Sequence, residues 1–271
     1  MVATIVGCGG DPKGGASHQD STEDPRLAGP QIDYTPVEVA NGGRVVGRVL
    51  LDGAAPEAPD FAVPEDATLC LGAVDNERLL VGPDGGLGWA VVRLVGVKKG
   101  KPFPTLTDEQ RLVDQIGCRY TPHVVALPVG TEVLFRNSDP TPHNVRVEDT
   151  TGAIMLNVAQ PAQGSVDIFV VDRIGPMSVG CDYHPWMNAY LFGVDNPYVV
   201  VTGADGAFEL TDVPPGEYEL RVWLNGFTPQ PMKDNNGAII RYRFSEAHEV
   251  GKTITVAPGG EVREEFRIGK E

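Results

Sequence analysis

What most constrains this chain is a recurring pattern of short apolar runs cut by turn-forming residues. Runs at 43–51 (GRVVGRVLL), 89–97 (WAVVRLVGV), 132–136 (EVLFR), 144–148 (NVRVE), 166–171 (VDIFVV), 198–202 (YVVVT), 207–210 (AFEL), 217–223 (EYELRVW) and 252–256 (KTITV) are rich in Val, Ile, Phe and Tyr. Clusters of Gly, Pro, Asp and Asn separate them, as they separate strands. Several runs alternate apolar with polar residues, the mark of a sheet with one buried face, and helical periodicity is weak. The pattern predicts an all-β chain of β-sandwich architecture. The 33 Gly and 23 Pro, beside 41% apolar residues, suit short strands and turns better than helices or a disordered chain.

The later runs fall into a compound motif. DGAFEL at 205–210 offers a tight turn and a strand, and VPPGEYEL at 213–220 a Pro-Pro-Gly turn and another strand. This stretch resembles the carboxypeptidase regulatory-like (transthyretin-like) β-sandwich family. That family opens with a strand of the kind at 43–51 and continues with one like 89–97. Here the remaining strands arrive only after about a hundred residues, too long for a loop within a compact domain. The expectation is therefore an insertion: a tether at 1–35, the first part of the outer sandwich at 36–104, an inserted domain at 105–197, and the outer sandwich completed at 198–271.

The inserted stretch holds the chemistry. CDYHPWM at 181–187 lies downstream of VGTEVLFRNSDPTPHNV at 129–145. Cys181, His184, Met187 and His143 supply one thiolate, two imidazoles and a thioether, the ligand set of a mononuclear blue (type 1) copper centre with a weak axial Met. Three ligands on one short loop, closed by a fourth from another strand, let a rigid sandwich fix the geometry. Taken singly, a Cys or Met in a β protein belongs to the core and a His to a satisfied site; four in this order and spacing point to a metal. Met187 is the most replaceable of them, since the axial position tolerates other donors, and Met177 lies just upstream.

Both segments resemble the cupredoxin family, its amicyanin branch above all, over about residues 120–195. The resemblance implies a Greek-key sandwich holding one copper ion on His143, Cys181, His184 and Met187. It implies that Asn144 joins the two ligand segments by hydrogen bonds. It further implies that electrons leave by an exposed edge of His184, with Pro142, Pro185 and Trp186 as an apolar docking patch. His123 falls where that pattern has no ligand; a structural role is the expectation, with a second metal or a partner contact as the sharper alternative.

The remaining cysteines are Cys8, Cys70 and Cys118. In an extracytoplasmic protein Cys70 and Cys118 would form a disulfide tying the two domains, the alternative being two inert buried thiols. Ile5-Val6-Gly7-Cys8 resembles the lipobox of bacterial lipoproteins, in which the Cys carries lipid. The small polar run that follows suits a flexible tether. Only seven residues precede Cys8, none basic, which departs from an ordinary signal. The expected location is the periplasm or cell surface, with a lipid anchor as the sole membrane attachment.

The net charge of −15 argues against nucleic acid as a partner and favours basic ones. Five histidines are too few for a multicopper oxidase, one loop cysteine is too few for a dinuclear copper centre, and Met is a poor zinc ligand. No phosphate loop, HExxH or GxSxG elbow occurs, so no enzyme is expected. The leading function is single-electron transfer, with a c-type cytochrome or membrane redox complex as partner. The alternatives are a non-redox binding or structural module, and copper storage or delivery.

Overall fold

The computed structural model describes residues 32–55, 61, 70 and 77–269; Cys8 and its lipobox-like setting lie outside them. Among the described residues the chain is all-β, with a short turn of 3-10 helix at Glu109–Arg111. No described helix is long and apolar enough to cross a membrane. The early strands are β1 (Thr35–Pro36), β2 (Gly43–Leu51), β3 (Val91–Val95) and β4 (Lys99–Gly100). The middle of the chain forms β5 (Leu112–Gln115), β6 (Tyr120–Thr121), β7 (Val124–Pro128), β8 (Glu132–Asn137), β9 (His143–Glu148), β10 (Ile154–Gln160), β11 (Val166–Val170), β12 (Gly175–Gly180) and β13 (Asn188–Val194). There follow β14 (Val199–Val201), β15 (Ala207–Val213), β16 (Gly216–Leu224), β17 (Pro229–Lys233), β18 (Ile239–Phe244), β19 (His248–Val256) and β20 (Glu261–Ile268).

The middle strands pair only with one another. They make a five-stranded sheet in the order β10-β9-β12-β13-β7 and a four-stranded sheet β11-β8-β5-β6. Alternation explains how these close into a sandwich: in β8 Val133, Phe135 and Asn137 are buried while Glu132 and Arg136 are exposed. Val133 and Phe135 share one core with Val145 and Val147 of β9, Val179 of β12 and Leu191 of β13, so the two sheets meet face to face.

Strands from both ends of the chain build the other layers. A four-stranded sheet runs β14-β3-β16-β19 and a three-stranded sheet β15-β2-β20. Val45 and Val49 of β2, Leu94 of β3, Leu220 and Val222 of β16, Ile254 of β19 and Phe266 of β20 form a second core. In β20, EVREEFRI, alternation sends Val262, Phe266 and Ile268 inward while Glu261, Arg263, Glu265 and Arg267 face out; Glu264, on the inward side, is half-buried and paired with Lys252.

A third, smaller cluster joins the two sandwiches. Val91 and Trp223 from the outer sheets meet Val124, Phe192 and Val194 from the inner one. The Trp223 ring lies 5.3 Å from Tyr190 and 5.4 Å from Phe192, centroid to centroid. Two outer segments also reach across. Between β2 and β3, Phe61 and Cys70 enter the inner core; from the β17–β18 hairpin, Tyr242 and Phe244 pack against it. Phe61 and Tyr242 meet edge to face at 4.8 Å.

Candidate metal centre

His143 opens β9, and Cys181 directly follows β12. The 181–187 loop leaves the ladder there because Pro185 cannot donate to it. The loop closes on itself when the Met187 N–H donates to the His184 carbonyl at 2.9 Å. Asn188 then starts β13 with its side chain donating to the Trp186 carbonyl at 2.7 Å.

These elements bring three of the sequence-predicted ligands together. The Nδ1 atoms of His143 and His184 are 2.9 Å apart, and Cys181 Sγ is 3.8 Å from His184 Nδ1. One ligating atom from each of the three residues falls within 4.8 Å of the others. Cys181 is a free, buried thiol. Met187 ends the loop, 2% exposed, in the same core cluster as Cys181, while Met177 is fully buried within β12.

Asn144 does join the ligand segments. Its Oδ1 accepts the Asp182 N–H at 2.7 Å, and its backbone N–H faces the Cys181 sulfur. The Tyr120 hydroxyl lies 2.6 Å from the Asn144 carbonyl and 3.1 Å from that of Gly180, bracing both ligand strands.

Sequence reasoning missed Asp139. Its carboxylate accepts the Gly117 and Cys118 N–H groups at 2.7 and 2.8 Å, and lies 2.9 Å from His143 Nε2. A carboxylate only accepts, so the His143 proton sits on Nε2 and its Nδ1 lone pair points at Cys181 and His184. Its sequence setting, Asn137-Ser138-Asp139-Pro140, marks a turn but no ligand partner; in the fold the Asn137 side chain accepts the Asp139 N–H at 2.9 Å and holds that turn.

Burial sets the charge states. It lowers the His143 pKa, an effect Asp139 partly offsets, and it takes His184 down to about 4 with the nearby His143 adding to the fall. It raises the Cys181 thiol, which its backbone hydrogen bonds only partly counter. At neutral pH the site therefore presents two neutral imidazoles and a thiol that must lose its proton to bind a cation. Two convergent Nδ1 atoms and a buried sulfur fit a soft transition metal, copper before a hard cation. A cavity of about 520 Å³ beside the β17–β18 hairpin is lined in part by Cys181, Met187, Arg146 and Arg241, so it reaches the sulfur side of the cluster.

The outer side of His184 differs from expectation. Cys70 and Cys118 form a disulfide, Cα atoms 5.4 Å apart, and Cys70 Sγ lies 3.7 Å from His184 Nε2. Trp186 does not join an exposed patch: it is 4% exposed, its ring packed 5.2 Å from His184 inside the core. Pro142 is exposed and Pro185 half-buried, and the exposed aromatic beside the loop is Tyr183. His123 belongs to no described metal-binding group. It is 2% exposed between Trp89 and Tyr190, its Nδ1 3.2 Å from the Asn188 carbonyl, where burial takes its pKa to about 3.

No protein-family model matches the chain, and no curated protein matches it. Among solved structures it is similar to a purple cupredoxin from Nitrosopumilus maritimus, at 24% identity over 31% of this chain and 98% of that one, TM-score 0.28. It is similar to an amicyanin mutant solved in the reduced Cu(I) form, at 19% identity over 38% of this chain and 98% of that one, TM-score 0.30. It is also similar to a copper-containing nitrite reductase from Thermus scotoductus, at 25% identity over 37% of this chain and 24% of that one, TM-score 0.27.

Proposed function

We propose that this chain is a mononuclear type 1 copper protein that passes single electrons between redox partners outside the cytoplasm. The observation that carries the reading is the convergence of His143 Nδ1, His184 Nδ1 and the Cys181 sulfur, with the outer His143 nitrogen tied to Asp139. In this reading Met187, buried in the same core cluster as Cys181, would lend its thioether as a further ligand. Copper, when bound, provides a couple one electron apart. The chain's own contribution is to hold its donors still: Asp139 fixes the tautomer and orientation of His143, Asn144 locks the Cys181 loop to β9, and Cys181 gives up its proton on loading. Donors held by two packed sheets need little rearrangement between oxidation states.

The chain acts here as a carrier and not a catalyst, with a c-type cytochrome or a membrane redox complex as partner. The outer strands form one transthyretin-like sandwich, residues 36–104 and 198–271, into which 105–197 is inserted; pairing of β2 with β20 and of β3 with β16 supports this. The Cys70–Cys118 bond supports an oxidising compartment, the periplasm or cell surface, with Cys8 as the lipid-bearing residue.

The test is copper(II) titration of the purified protein, followed by visible and EPR spectra. An intense thiolate-to-copper band that disappears in Cys181→Ser is expected. No such band, or one that survives the substitution, would overturn the reading. Rapid loss of metal on reduction would point to copper delivery instead.

A further inference from the structure

We infer that opening the Cys70–Cys118 bond creates a second, sulfur-rich site for a soft d10 cation, built from the two cysteine sulfurs and the outer nitrogen of His184. One ligating atom from each of Cys70, Cys118 and His184 lies within 4.8 Å of the others, the same span as at the His143–Cys181–His184 cluster. The two clusters use opposite nitrogens of one ring. Nδ1 faces His143 and Cys181, whereas Nε2 faces Cys70 at 3.7 Å. Both sulfurs are buried, Cys70 at 2% and Cys118 at 0% exposure, so a cation held there would be shielded from water.

Cys118 is the fixed arm of this site. Gly117 and Cys118 both adopt left-handed backbone, φ 62° and 56°, and their N–H groups are gripped by the Asp139 carboxylate. A non-glycine residue stays in that region only where its surroundings over-determine it. Cys70 lies between β2 and β3 in the chain, so the site draws its two sulfurs from opposite sides of the 48-residue disulfide separation.

The chemistry balances with a dithiol as reductant. One dithiol sulfur attacks the disulfide and forms a mixed disulfide; the second displaces it. The dithiol leaves as its own disulfide, having given two electrons, and Cys70 and Cys118 each gain a proton. Binding a d10 cation then releases those two protons and leaves two thiolates and one imidazole around it, donors that favour Cu(I), Ag(I) or Cd(II) over hard ions. Neutral imidazole has a single nitrogen lone pair to give, so filling one cluster disfavours the other.

Cadmium(II) titration of the metal-free full chain carrying Cys8→Ser tests this, because the ultraviolet sulfur-to-cadmium band reports how many thiolates bind. Before reduction the band should correspond to Cys181 alone. After treatment with dithiothreitol and desalting without oxygen, it should grow to three thiolates at excess cadmium, the second cluster to fill doing so more weakly. In the reduced chain Cys181→Ser should keep two, and His184→Ala should weaken cadmium binding at the new site by about tenfold or more. Three results would overturn the inference: an unchanged band after reduction, a disulfide that resists dithiothreitol in the folded chain, or loss of near-ultraviolet dichroism on reduction. A band absent before reduction but present after it would count against the His143–Cys181–His184 centre and leave this one standing.

Discussion

At the scale of single residues, the site depends on groups that never need to touch a metal. Asp139 answers three donors at once: two backbone N–H groups and His143 Nε2. Asparagine has one oxygen for them and turns an N–H₂ toward the rest. Asp139→Asn is therefore expected to lower metal affinity roughly 10–100-fold, read by competition with a chelator; unchanged affinity would mean the contact is incidental. His123 makes a different prediction. Its folded pKa of about 3 lies below the ordinary 6.5, so between these values the unfolded chain binds a proton that the folded chain refuses. Stability is full above pH 6.5 and falls as the pH drops toward 3, by at most about 1.4 kcal/mol per unit from this residue. Urea unfolding of metal-free His123→Phe from pH 4 to 7 should show a shallower loss than wild type, since phenylalanine keeps the ring packing without the titration. His143, His184 and Cys181 were legible in the sequence because soft donors are scarce and their spacing is distinctive. Asp139 was not, because it is one of 37 acidic residues and only the folded turn singles it out.

At the scale of elements, legibility followed alternation. β2 runs Gly43–Leu51, as its apolar pattern predicts, and β8 and β11 fall within a residue of expectation. β12, GPMSVG, hides behind its glycines and proline, β17 carries two prolines, and β20 looks too charged until its outward face is separated from its inward one. The β17–β18 hairpin was unforeseen for the same reason, yet it roofs the Cys181 loop. Arg241 pins it by reaching Asp182 at 3.1 Å and Glu148 at 3.4 Å, both also paired with Arg146. These groups are partly exposed, so Arg241→Ala should cost less than about 1 kcal/mol of global stability. It should nonetheless speed hydrogen exchange across β17–β18, measured by mass spectrometry; equal exchange would assign the anchoring to Tyr242 and Phe244 alone.

At the scale of the whole molecule, two cores are held together by one aromatic seam, the hairpin and the disulfide segment. Trp223 is central to the seam, against Tyr190 and Phe192. Trp223→Ala removes about 3–5 kcal/mol of packing by the usual cost of such truncations. Calorimetry should then resolve two unfolding transitions, one per sandwich; a single, merely lowered transition would mean that the remaining ties suffice. The break in the strand motif was visible in the sequence, and the pairing of β3 with β16 spans it; the seam was not visible, because Trp89, Trp223 and Phe192 read as ordinary core residues until their partners are known.

The parallel pairing of β2 with β20, from Arg44–Glu261 to Leu51–Ile268, also has a consequence in time. In a chain that emerges N-terminus first, the strands of the inner sandwich are all present well before β20 appears, so it can pack while the outer one still lacks an edge. Through that interval Val45 and Val49 of β2 have no completed core to enter. Late closure of this kind is slow and leaves an open strand as a template for neighbouring chains. The inner module is thus ready first, and the outer one must be kept from wrong partners until β20 is in place.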